Sequence, residues 1–78
     1  MTTAHYFDAG DMSCGDGFAQ ELRRRIEQIP IGDLLVATVR DPAAKTDLPP
    51  LTRMMGHEIK TVEDRSDGSI VFTVERGR

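Results

Sequence analysis

A chain of 78 residues can bury one hydrophobic core and no second, so residues 1–78 are expected to form a single domain, frayed at 1–3 and 77–78. Thirteen acidic against ten basic side chains give a net charge of −3, which argues against a general nucleic-acid binder, since those carry a basic excess. The longest apolar run, Leu34 to Val39, is far too short to cross a bilayer; the lone cysteine, Cys14, with no internal disulfide partner, and the lack of an opening secretory h-region lead us to expect a reducing, cytoplasmic compartment.

In chain order, His5-Tyr6-Phe7-Asp8 reads as a short first strand. A helix is expected from Gly15 to Gln28, because Phe18, Ala19, Leu22, Ile26 and Ile29 fall on one stripe of a 3.6-residue period. Ser13 or Cys14 would cap its start, Asp16 would complement the helix dipole, and Pro30 and Gly32 would stop it.

Leu34-Leu35-Val36-Ala37-Thr38-Val39 is an apolar run of strand length, suited to a central strand covered on at least one face. Asp41-Pro42 opens a turn. Asp47 then reads as the cap of a second helix with Pro49 and Pro50 in its first turn, where a missing N–H costs nothing. Leu48, Leu51, Met54 and Met55 would form its apolar, core-facing side, and Gly56 its left-handed terminator.

The last third reads as a hairpin: Glu58 to Glu63, a turn over Asp64-Arg65-Ser66-Asp67-Gly68, and Ser69 to Glu75, where Ile70, Phe72 and Val74 alternate with Val71, Thr73 and Glu75. The expected fold is a two-layer α/β sandwich of order βαβαββ. A four-stranded mixed sheet would carry both helices on one face, with parallel early pairings and an antiparallel hairpin.

Cys14 stands where strand gives way to helix. A thiol beside the free N–H groups of a helix start is biased toward the thiolate, the reactive form of sulfur. Gly15 and Gly17 expose further N–H donors that could cradle an anion, whereas the Asp16 carboxylate opposes a second negative charge there, so the sign of the net effect on Cys14 stays open. Burial as a small apolar residue is the competing fate of a free cysteine.

Arg23-Arg24-Arg25 follow on the same helix. Arg25 would pair with Glu21 and lies too far along the axis to activate Cys14. Arg23 and Arg24 read either as a solvated face or as a docking patch for an acidic partner. His5 and His57 lack metal-ligand spacing with Cys14, so no metal is expected. Gly15-Asp16-Gly17 lacks the GK[ST] ending of a phosphate loop.

From Phe7 to Arg76 the chain resembles the TusA (SirA-like) family of small sulfur carriers. The segment from Leu34 to Pro49 is similar to the family's apolar strand followed by D-P-A-x-x-x-D-[IL]-P, and Met55-Gly56-His57-Glu58-Ile59 to its M-x-H-E-L. Phe7-Asp8-Ala9, with Cys14 six residues after the aspartate, is similar to its L-D-x-x-G-x-x-C-P-x-P. Gly15 and Gly17 replace the two prolines, and Asp11 stands at the usual glycine, with Gly10 one place earlier.

The resemblance implies a carrier, without a bound cofactor, whose Cys14 accepts sulfane sulfur as a persulfide and passes it between donor and acceptor proteins; a monomer is expected. The lost prolines leave open a non-catalytic binding or regulatory module on the same fold. A nucleic-acid module is disfavoured by the acidic charge balance.

Overall fold

The computed structural model describes residues 2–10 and 17–78. Its elements are β1 (Ala4–Asp8), α1 (Phe18–Ile26), β2 (Leu34–Val39), α2 (Ala44–Met54), β3 (Glu58–Asp64) and β4 (Ile70–Glu75), the expected βαβαββ order. The strands form one mixed sheet in the order β1-β2-β4-β3. β1 runs parallel to β2, with Phe7 opposite Ala37, and β4 lies antiparallel to both β2 and β3.

One side of this sheet is apolar. Phe7, Leu35, Ala37, Val39, Ile70, Phe72 and Val74 share a single cluster with Phe18, Leu22 and Ile26 of α1 and with Ala44 and Leu48 of α2. Both helices therefore cover the same face, as their apolar stripes require. Phe18, Leu22 and Ile26 are completely buried, each contributing about 1.5–3 kcal/mol by its removal from water. Val71, on the opposite side of β4, is buried too, flanked by Thr38 and Glu63 in the neighbouring strands.

Four local expectations are corrected. The first helix begins at Phe18 rather than Gly15 and ends at Ile26. Its cap position is Gly17, at φ 94°, a left-handed conformation that lies outside any helix; Ser13 and Cys14, the expected caps, lie outside the described residues.

The second helix begins at Ala44, before Asp47. Its start is organised by the earlier Asp-Pro pair: the Asp41 carboxylate accepts the Ala43 amide at 3.0 Å, and the Asp41 carbonyl accepts the Ala44 amide at 3.0 Å. Pro49 and Pro50 consequently sit inside the helix. Their absent N–H groups would otherwise bond the carbonyls of Lys45 and Thr46, so this helix relies on its buried Leu48 and Thr52 rather than on a complete ladder.

Met54, expected in the core, is 77% exposed, because the buried line of α2 runs through Ala44, Leu48 and Thr52 instead. Gly56 ends the helix at φ 87°, as expected. Among the described residues no helix is long and apolar enough to cross a membrane.

Candidate functional site

The segment holding Cys14, Gly15 and Asp16 lies outside the described residues, but both of its anchors are defined. Upstream, β1 is prolonged by a bond from the Ala9 amide to the Thr38 carbonyl at 2.8 Å. The Asp8 carboxylate then accepts the Gly10 amide at 2.8 Å, turning the chain away from the sheet with Gly10 at φ 59°. Downstream, the chain returns at Gly17, whose carbonyl accepts the Glu21 amide at 3.0 Å and opens the helical ladder.

The anchors are joined through the core. The Phe7 and Phe18 rings stack with centroids 6.1 Å apart and planes 19° from parallel. The guanidinium of Arg25 lies over the Phe7 ring, 4.3 Å from its centroid. Arg25 also pairs with Glu21 at 2.9 Å, as the sequence led us to expect, and so supports this junction from the helix.

Gly17 offers no capping side chain, which leaves the first amides of α1 without side-chain acceptors from their cap residue. The positive end of the helix dipole is thus at Phe18, four residues after Cys14 in the sequence. The arginines at the other end of the helix take different surroundings. Arg24 shares Glu21 with Arg25, at 3.4 Å, while Arg23 reaches Glu27 at 3.3 Å.

A second constellation, at the opposite end of the sheet, went unnoticed in the sequence. The register of Leu34 with Glu75 puts the start of β2 beside the end of β4, and the C-terminal ends of both helices gather there. His57 is buried at this end, and its Nδ1 accepts the Gly77 amide at 3.0 Å, so the ring proton resides on Nε2. Burial and the nearby Arg76 guanidinium hold the His57 imidazole below its ordinary pKa of 6.5, favouring the neutral ring.

Arg76 donates to the carbonyls of Glu27 and Ile29, fastening the strand β4 to the end of α1. Beside it opens a groove of about 610 Å³ between the two helix ends. Met55-Gly56-His57 was the only local signal for this constellation. The bonds from Arg76 to α1 span 47 and 49 residues and leave no trace in a local pattern.

At the edge of β1, His5 Nε2 and the Asp33 carboxylate are 3.0 Å apart, and Asp33 also accepts the Thr3 amide at 3.2 Å. These two bonds, His5 first, hold the Asp33 carboxyl below the usual carboxylate range. Among the described residues, no three His, Cys, Asp or Glu side chains are grouped closely enough to hold a metal ion.

Comparison with known proteins bears directly on the Cys14 segment. The family profile described as Sulfurtransferase TusA matches residues 6–76. A protein of Archaeoglobus fulgidus named "Putative sulfur carrier protein" is 32% identical over 53 residues, covering 68% of this chain and 69% of its own length. The matched span takes in both anchors, the Cys14 segment between them and every strand and helix from Tyr6 onward. The chain belongs to the TusA sulfurtransferase family.

Proposed function

We propose that the protein is a sulfur carrier in which Cys14 is the loading site. The observation that carries this reading is the lone cysteine, six residues after Asp8, in a chain that matches the TusA family from residue 6 to residue 76. The curated relative's name as a sulfur carrier supports the same role.

Loading is a thiol exchange that needs no outside oxidant. The Cys14 thiolate attacks the outer sulfur of a donor persulfide, the donor's S–S bond breaks, and the donor's inner sulfur leaves as thiolate. Cys14 then bears the persulfide. An acceptor thiolate repeats the step, taking the outer sulfur and returning Cys14 to its thiolate form. Donor and acceptor are proteins in this reading, and neither step requires a cofactor.

The first amides of α1 and the glycines at positions 15 and 17 favour negative charge on sulfur, while Asp16 opposes it. Arg23 and Arg24 are exposed on the same helix and suited to acidic partner surfaces. The experiment is the rate of alkylation of Cys14 as a function of pH. A carrier shows fast labelling that falls away below a thiol pKa lowered from the ordinary value of about 8.5. Slow, pH-insensitive labelling would instead mark a binding module that has lost the relay.

A further inference from the structure

The groove at the far end of the sheet combines charge with apolar surface. Its lining includes Arg23 from α1, Arg76 and Arg78 from the segment after β4, and Met54 and Met55 from the end of α2. Glu27 contributes a carboxylate, and this is spent on Arg23 at 3.3 Å. Counted by side chain, three guanidinium groups stand against one carboxylate here, in a chain whose net charge is −3.

Arg76 donates to the backbone carbonyls of Glu27 and Ile29 and to the backbone oxygen of Arg78, which together fix the position of its guanidinium. The neutral His57 beside it, kept from charging by burial and by Arg76, is consistent with a positive potential at this end. Met54, 77% exposed, and Met55 lie side by side in this lining. Methionine surfaces of this kind adapt to varied apolar partners.

We propose that this groove docks an acidic segment of a partner protein, whose carboxylates meet Arg23, Arg76 and Arg78 while an apolar side chain packs on Met54 and Met55. The site is separate from the Cys14 segment. Both anchors of that segment lie where β1 ends, whereas the groove lies where β2 begins and β4 ends. A partner held here leaves the cysteine end free, so the carrier can remain tethered while its sulfur end changes hands. The docking itself does not depend on sulfur chemistry at Cys14.

The test is fluorescence anisotropy with a fluorescein-labelled peptide in which leucines alternate with pairs of aspartates, titrated with the full chain at low and moderate salt. Binding should weaken with salt, and Arg23→Glu and Met54→Ser should each weaken it by about tenfold or more, on the scale of interface charge and anchor deletions. Arg65→Glu, exposed in the turn between β3 and β4 and outside the groove lining, should change it by less than about twofold, as for a rim charge.

The proposal is overturned by absence of binding, by an equal loss with Arg65→Glu, by equal affinity for a lysine-for-aspartate peptide, or by equal affinity when glycine replaces the leucines. Binding to anionic lipid vesicles with no peptide binding would also overturn it. The Cys14→Ser protein should bind the peptide as the wild type does, which separates this outcome from any failure of sulfur loading.

Discussion

Phe7 and Phe18 stack at 6.1 Å across the two ends of the segment that carries Cys14, tying the end of β1 to the start of α1 through the core. This pairing turns a nine-residue separation between strand and helix, from Asp8 to Gly17, into a loop with fixed ends. The burial of Phe7 and Phe18 beneath this loop offsets part of its cost of closure.

That relationship sets a stability expectation. Phe18→Ala should destabilise the fold by about 3–5 kcal/mol, the range for truncating a fully buried aromatic, which approaches the total stability of a domain this small. Phe18→Leu preserves most of the volume but not the ring stack, and should lose on the order of 1–2 kcal/mol. Urea denaturation followed by circular dichroism distinguishes the two, and equal midpoints for wild type and Phe18→Leu would remove the stack from the explanation.

Gly17 yields a less intuitive expectation. The family signature has proline at this position, yet Gly17 adopts φ 94°, and proline is fixed near −65°. Restoring the family residue as Gly17→Pro should therefore destabilise the protein, or force the helix to start elsewhere. Gly17→Ala should cost about 1–2 kcal/mol for the left-handed backbone alone, since its added Cβ would meet nothing nearer than Gln20 at 3.7 Å. A Gly17→Pro protein as stable as wild type in urea would show that the glycine is incidental.

Much of the fold could be read from the sequence because its signals are local. The apolar run Leu34–Val39, the alternation of Ile70, Phe72 and Val74, and the 3.6-residue stripe of α1 each reflect one element facing one core. The start of α2 was misread because the chain offers two aspartates that precede prolines, Asp41 and Asp47, and only packing selects between them. Burial of Ala44 and Leu48 favours the earlier start and carries Pro49 and Pro50 into the helix.

For the site, Cys14 was legible as a candidate from its type, its spacing after Asp8 and the resemblance to the family, and it lies outside the described residues. The groove was not legible, because Arg76, His57 and Arg23 converge only once the sheet order β1-β2-β4-β3 is set.

His57 makes stability depend on pH. Its folded pKa lies below 6.5, so the unfolded chain binds the proton more readily, and the stabilisation from the neutral ring is complete above about 6.5 and lost as pH falls toward the folded value. Arg76 and Arg78 reinforce this trend and Glu27 opposes it. The urea midpoint should fall on acidification below about pH 6.5, and His57→Gln should flatten that slope. Asp33 acts in a separate window: its carboxylate contributes above 3.8, and the contribution fades as pH falls below that. A wild-type slope that survives His57→Gln between these windows would assign the effect to another group.

Gly77 presses closely on its neighbours. A Cβ there would collide with the carbonyl oxygen of Gly56, while the Gly77 amide must reach His57 at 3.0 Å. Gly77→Ala should therefore detach this segment from His57 and cost about 1–3 kcal/mol, as overpacking does. In nuclear magnetic resonance the His57 ring should then titrate closer to its ordinary value of 6.5. An unchanged titration together with unchanged stability would mean that the segment does not close over the histidine.

The sulfur-carrier reading stands on Cys14, and intact-protein mass spectrometry after incubation with a persulfide donor addresses it directly. The wild type should gain the mass of one sulfur atom, lose it on treatment with a thiol reductant, and gain nothing as Cys14→Ser. No added sulfur on the wild type, or the same addition on Cys14→Ser, would contradict the assignment.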